Sequence, residues 1–369
     1  MKETQRQART DGRRAAAAAW IKEQKNQKAR SWKDMEYTTL GRTGLRISRM
    51  GFGGIPIQKV DAAATRALME RMAAEGVNYI DTARGYTVSE AYIGEALEGL
   101  RDKFVLATKS MARTKDAMAK DIETSLANLR TDHIELYQIH NPSLADLETV
   151  TAPGGALEAL LEAKAAGKIG HIGVTAHLAQ VFERALELDW VETVMFPYNI
   201  VETQGEALMR RCTEQNVGFI CMKPLAGGAL EDATLALRFI GQNKDVSVVI
   251  PGMYDVREIE QNLAAMNDNS PLTQEELAKI EQTRAELGTQ FCRRCNYCQP
   301  CTAGVNISGV FLMEGYLKRY GLEDWAKARY ATFAKKASDC VGCGVCETRC
   351  PYQLPIREML ARCAQEFGA

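Results

Sequence analysis

Eight of the eleven cysteines are packed into two short runs near the C-terminus. The second run reads Cys340-Val-Gly-Cys343-Gly-Val-Cys346-Glu-Thr-Arg-Cys350-Pro351, with gaps of two, two and three residues before the closing proline. That spacing sets three thiolates around one iron–sulfur cubane and turns the fourth toward a neighbouring cluster. Gly342 and Gly344 free the backbone to wrap tightly. The first run, Cys292, Cys295, Cys298 and Cys301, repeats the triad with a shorter last gap and Thr302 where the proline would stand. Cys-x2-Cys pairs also bind structural zinc. A third cysteine at the same interval in both runs, together with Cys350-Pro351, favours two [4Fe-4S] clusters. Cross-ligation assigns Cys292, Cys295, Cys298 and Cys350 to one and Cys340, Cys343, Cys346 and Cys301 to the other. Cys212, Cys221 and Cys363 are left as small hydrophobes.

A second set of residues suits proton transfer. Asp81, Lys109 and His140 each close a short apolar run (77–80, 104–108 and 136–139), and Tyr86 lies five residues beyond Asp81. A tyrosine hydroxyl titrates near 10 and is a poor acid unaided. A neighbouring ammonium would lower that value, and a carboxylate would hold the ammonium charged and oriented. The expected roles are Tyr86 as acid, Lys109 as its pKa tuner, Asp81 as orienter and His140 as polariser of a carbonyl oxygen.

These residues converge only if the segments that carry them form one scaffold. Val- and Ile-rich runs recur at 77–80, 104–107, 134–139, 169–174, 191–196, 217–222 and 246–250, with one more strand expected near 47–51. Helical stretches separate them, at 62–75, 88–100, 115–129, 155–166, 178–188, 205–215, 233–241 and 256–266. Runs this apolar fit parallel strands buried on both faces. Eight strand–helix units in residues 36–270 match an α/β fold of the (β/α)8 barrel type, whose chemistry sits at the carboxyl ends of the strands. No Gly-x-Gly-x-x-Gly turn supports the alternative of a doubly wound sheet. Residues 271–288 read as a capped linker helix ending the barrel domain (36–288). Residues 289–369 form the cluster domain, mainly helical between its cysteine runs. Residues 1–35 carry ten Lys or Arg against four Asp or Glu and read as a basic helical or disordered leader.

Bulk composition excludes some functions. A net charge of −1 gives no footprint for nucleic acid, and no apolar stretch approaches a membrane span. Lys22-Glu-Gln-Lys25 interrupts the alanine run after Arg13-Arg14 at once, so the chain reads as cytoplasmic rather than exported.

The barrel resembles the aldo-keto reductases. The residues that carry the likeness are Asp81-Thr-Ala-Arg-Gly-Tyr86 with Ser89-Glu90, Ala107-Thr-Lys109, Tyr137-Gln-Ile-His140-Asn-Pro142, Ile172-Gly-Val174, Tyr198-Asn199, Lys223-Pro-Leu-Ala-Gly-Gly228, Ile250-Pro-Gly252 and Gln261-Asn262. With the cysteine runs added, the chain is similar to the branch bearing a C-terminal ferredoxin-like domain. The resemblance implies an NAD(P)(H)-dependent reductase acting on a small carbonyl or alcohol. It implies cofactor contacts from Thr175, Tyr198, Lys223, Leu225, Gly227, Gly252, Arg257, Gln261 and Asn262. The pattern departs from the family at Thr175-Ala176, Met195, Met222, Gly252-Met253 and Glu258. A carboxylate at 258 suits a free ribose hydroxyl better than a phosphate, so the pattern does not single out NADP. Hydride carries two electrons and clusters take one at a time, a gap that a flavin commonly bridges. The alternative expectation is therefore an electron-transfer protein whose barrel binds a flavin or a partner, with ferredoxin as redox partner.

Overall fold

The computed structural model describes residues 35–288 and 290–368. The basic leader read in 1–35 lies, but for Met35, outside the described residues. Among the described residues ten strands form: β1 (Tyr37–Thr39), β2 (Arg46–Ser48), β3 (Phe52–Gly53), β4 (Tyr79–Asp81), β5 (Val105–Ser110), β6 (Ile134–Ile139), β7 (Ile169–Thr175), β8 (Thr193–Pro197), β9 (Gly218–Met222) and β10 (Val248–Val249). Strands β3 to β10 pair in parallel, in sequence order. Gly51 N donates to Val249 O at 2.8 Å and Gly53 N to Pro251 O at 2.9 Å, so the ends of the sheet meet and the barrel closes.

The first barrel strand corrects the sequence expectation. Residues 46–48 pair antiparallel with Tyr37–Thr39 instead, and the ring begins at Phe52. The hairpin plugs the amino end of the barrel. Leu40 is fully buried among Tyr79, Leu136, Ile220 and Val248, and a Cβ on Gly218 would meet the Leu40 side chain at 2.6 Å.

Helices α1 (Ala62–Glu75), α2 (Ser89–Ala96), α3 (Lys115–Asn128), α4 (Leu144–Thr151), α5 (Ala156–Ala165), α6 (Ala179–Ala185), α7 (Glu206–Glu214), α8 (Ala233–Gly241) and α9 (Val256–Met266) join the strands. Helix α4 was not expected; Ser143 and Asp146 start it with reciprocal caps. The linker helix α10 (Gln274–Gly288) begins as its Thr273-to-Glu276 spacing predicts: Thr273 N donates to the Glu276 carboxylate and Glu276 N to the Thr273 hydroxyl.

The C-terminal region is helical: α11 (Ile307–Lys318), α12 (Glu323–Ala331), α13 (Val345–Thr348) and α14 (Ile356–Phe367). Its core joins Val305, Ile307, Phe311, Tyr330, Leu360 and Cys363, with both cysteine runs packed against it. Four arginines fasten this region to the barrel's carboxyl end. Arg293 donates to Val201 O at 2.8 Å, Arg319 to Gly227 O at 3.0 Å and Arg329 to Gly85 O at 3.1 Å, while Arg294 pairs with Glu202. Among the described residues, no helix is long and apolar enough to cross a membrane.

Candidate active site

Asp81 ends β4, Lys109 lies on β5, and His140 follows β6, so parallel pairing brings all three to one rim. The turn 82–86 carries Tyr86 over them. Arg84 donates to the buried Glu90 carboxylate at 2.5 Å, Glu90 accepts from Thr108 and Ser125, and Thr82 meets Ser89 at 2.9 Å. The Ser89-Glu90 pair thus acts by holding the loop.

Lys109 and Asp81 form an ion pair with both residues 2% exposed. Lys109 Nζ also donates to Thr82 O at 2.9 Å, and Gln138 Nε2 donates to Asp81 Oδ2 at 3.0 Å. Tyr86 and His140 meet edge to face, with ring centroids 6.1 Å apart, and Lys109 Nζ is 5.0 Å from the Tyr86 ring centroid. All four expected residues are therefore together.

Burial pushes the Tyr86 hydroxyl well above its ordinary value, and the charge of Asp81 adds to the rise. The Lys109 ammonium beside the ring is paired with Asp81. Burial raises Asp81 and lowers Lys109, each opposed by the other's charge. Burial, then Lys109, Arg329 and Arg113, drives His140 well below its usual range and leaves a neutral imidazole. Tyr86 is a phenol that keeps its proton, beside a neutral ring whose Nδ1 is buried and unpartnered.

A cavity of about 250 Å³, partly open to solvent, holds this group. Of the residues expected at a nicotinamide cofactor, Thr175, Lys223, Leu225, Gly227 and Gly252 line it. Tyr198, Arg257, Gln261 and Asn262 do not. The Tyr198 hydroxyl donates to Glu206 at 3.0 Å, Arg257 pairs with Asp255 in solvent, Gln261 is exposed and Asn262 is buried in α9. Glu258 reaches the wall, but its carboxylate accepts from Tyr254 N and Asp255 N at the start of α9. Met195 and Met222 line the cavity as well.

Sequence reasoning missed four contributors. Gln138 shares a strand face with His140 by period two, a signal that was there to read. His177 lines the cavity, with Nδ1 2.9 Å from Asn141 Oδ1 and Nε2 unpartnered. Tyr316 and Tyr320, one helical turn apart, close the cavity from the C-terminal region.

The cysteines surround two further, small cavities. Cys292, Cys295, Cys298 and Cys350 line one; Cys301, Cys340, Cys343 and Cys346 line another, and Ile307 walls both. Among the described residues, no three His, Cys, Asp or Glu side chains are grouped to hold a single metal ion.

Comparison with known proteins agrees with this arrangement. Residues 49–235 match the aldo/keto reductase family, about half of the chain. The chain belongs to the aldo/keto reductase family. Residues 291–355 match a 4Fe-4S dicluster domain. This aldo/keto reductase is 27% identical over 304 residues to L-galactose dehydrogenase of Arabidopsis thaliana, covering 67% of this chain and 93% of the relative. It is 30% identical over 230 residues to the aldo-keto reductase YhdN of Bacillus subtilis, covering 54% and 66%. The holo form of the Bacillus halodurans aldo-keto reductase AKR11C1 superposes with a TM-score of 0.58 at 26% identity, covering 68% of this chain and 96% of that one.

Proposed function

We propose that the cavity reduces a small carbonyl compound, or oxidises the corresponding alcohol, with Tyr86 as the group that gives or takes the proton. One observation carries this reading: Tyr86 and His140 meet above the Lys109–Asp81 pair inside a single cavity. A bound nicotinamide supplies the hydride, and Thr175, Met222, Leu225 and Gly227 on the cavity wall would hold it. Burial that keeps the Tyr86 proton in place suits donation to an oxygen gaining negative charge. Neutral His140 orients that oxygen without competing for the proton. Lys109, Gln138 and Asp81 fix the floor on which both rings rest. The test is turnover of a carbonyl panel by Tyr86→Phe. A loss of about 10²–10⁴-fold is expected, and unimpaired turnover would refute the proposal.

The two cysteine rings would each hold a [4Fe-4S] cluster, which supplies one-electron transfer. A second reading, in which electrons reach the cavity from a carrier such as ferredoxin, is favoured by the placement of the rings. Arg293 and Arg294, between Cys292 and Cys295, bond Val201 and Glu202 of the barrel. Asn199 of the same loop donates to Lys223 O on the cavity wall at 2.9 Å. The other ring faces outward: Cys343 is exposed and Val341 is 70% exposed. Under this reading Cys343→Ser abolishes ferredoxin-driven turnover while nicotinamide-driven turnover persists. Ferredoxin-driven turnover that survives the substitution sinks it.

A further inference from the structure

The cavity holds a lysine that nothing in the proton-transfer group uses. Burial, then Arg294, push the Lys223 amine well below the ordinary lysine range, so an anion beside it would favour its charged form. Among the described residues, this amine has neither an ion pair nor a hydrogen bond. It stands 5.5 Å from the centroid of the Tyr316 ring. Its backbone is held at φ +54, an uncommon conformation for a residue with a side chain. Two hydrogen bonds to its carbonyl, from Asn199 Nδ2 and Ala226 N, fix that turn. Strained positions held in place this way cluster at ligand sites.

A guanidinium comes from the other side of the seam. Arg319, just past the end of α11, lines the same cavity at its exposed rim, anchored through Nε to Gly227 O at 3.0 Å. The carboxylates that act on it, Glu314 and Glu202, are paired elsewhere: Glu314 with Arg362 at 3.0 Å and Glu202 with Arg294. The other carboxylates of the wall are also engaged, Asp81 by Lys109 and Glu258 by backbone N–H groups. The seam therefore gathers a guanidinium and a lysine amine with no free protein counter-charge, the amine well inside the cavity. An oxyanion placed between them would accept from both and favour the charged form of the amine.

We propose that Lys223 and Arg319 form an oxyanion subsite assembled jointly by the barrel and the cluster domain, which binds a carboxylate or phosphate group of the molecule held in the cavity. Two sources share that chemistry: an anionic group on the carbonyl substrate itself, or the diphosphate of a dinucleotide cofactor. The subsite rests on the cavity being the place where a small molecule binds, and it makes the iron–sulfur domain part of substrate or cofactor recognition.

The experiment is calorimetric titration of the full-length, anaerobically purified protein, with no turnover required. The probes are inorganic phosphate, levulinate, its uncharged methyl ester, and ADP-ribose. Arg319→Gln and Lys223→Gln should each weaken phosphate, and with it levulinate, ADP-ribose or both, by roughly tenfold or more. Methyl levulinate should change little. Arg319→Lys, which keeps the charge but loses the fork that also anchors Gly227 O, should fall between the parent and Arg319→Gln. Sensitivity of levulinate alone supports the subsite with the substrate as its source; sensitivity of ADP-ribose alone supports it with the cofactor diphosphate as its source. The proposal is overturned if neither glutamine variant weakens any anionic probe, or if the glutamine variants weaken methyl levulinate as much as levulinate. Failure of the protein to reduce any carbonyl would strike the proposed reaction and leave this subsite standing.

Discussion

Replacing Glu202 by glutamine asks how firmly charge ties the cluster domain to the barrel. The Glu202 side chain is fully buried and that of Arg294 is 7% exposed. Asn199 Nδ2 donates to Glu202 Oε2 at 2.9 Å, so the carboxylate is held from both sides. Glutamine keeps the volume and leaves the guanidinium buried without a counter-charge, its bond to Cys292 O aside. Removing one half of a buried pair costs about 3–5 kcal/mol, whereas an exposed pair contributes about 1 kcal/mol at most. Set against a total stability of about 5–15 kcal/mol, the loss is large. The assay is denaturant unfolding under anaerobic conditions, followed both by far-UV circular dichroism and by the visible absorbance of the clusters. Both midpoints should fall. The visible one should move at least as far, because Arg294 sits between Cys292 and Cys295. The double variant Glu202→Leu/Arg294→Met removes both charges and should recover most of the loss. A Glu202→Gln shift worth less than about 0.5 kcal/mol, or a double variant no better than the single, would refute the reasoning.

Other outcomes follow from the same geometry. His140 and His177 are both held well below the ordinary imidazole range, chiefly by burial. Unfolded, they take up protons near pH 6.5, so the unfolded state binds more protons and stability falls as pH drops below that value. His177→Asn should flatten the slope of unfolding free energy below pH 6.5 by up to about 1.4 kcal/mol per pH unit; an unchanged slope means the ring is not buried as described. The two cysteine cavities predict which substitutions behave alike. Cys350→Ser should disturb the same cluster spectrum as Cys292→Ser, and Cys301→Ser the same one as Cys343→Ser. Electron paramagnetic resonance that instead groups Cys350 with Cys340 would dismiss cross-ligation.

The barrel was legible because its strands are buried on both faces and therefore continuously apolar, as at 134–139 and 169–174. The first strand was not. Phe52–Gly53 is two residues long and leaves no periodic trace, while the more conspicuous 46–48 segment serves the hairpin that plugs the barrel's amino end. The proton-transfer group was legible because each member ends a strand, a position that topology converts directly into proximity. Their electrostatics were not, since whether Lys109 acts on Tyr86 or is answered by Asp81 depends on distances that spacing does not encode. The seam was the least visible part. Arg293, Arg294, Arg319 and Arg329 look like ordinary surface charges until docking places barrel carbonyls or Glu202 against them.

Helix α11 and the corner after it make the redox domain the lintel of a doorway. At Gly227 the barrel meets the ring of Tyr320, whose edge comes within 3.2 Å of where a Cβ on Gly227 would stand. A single methyl there, on a backbone already at φ +66, is enough to jam the frame.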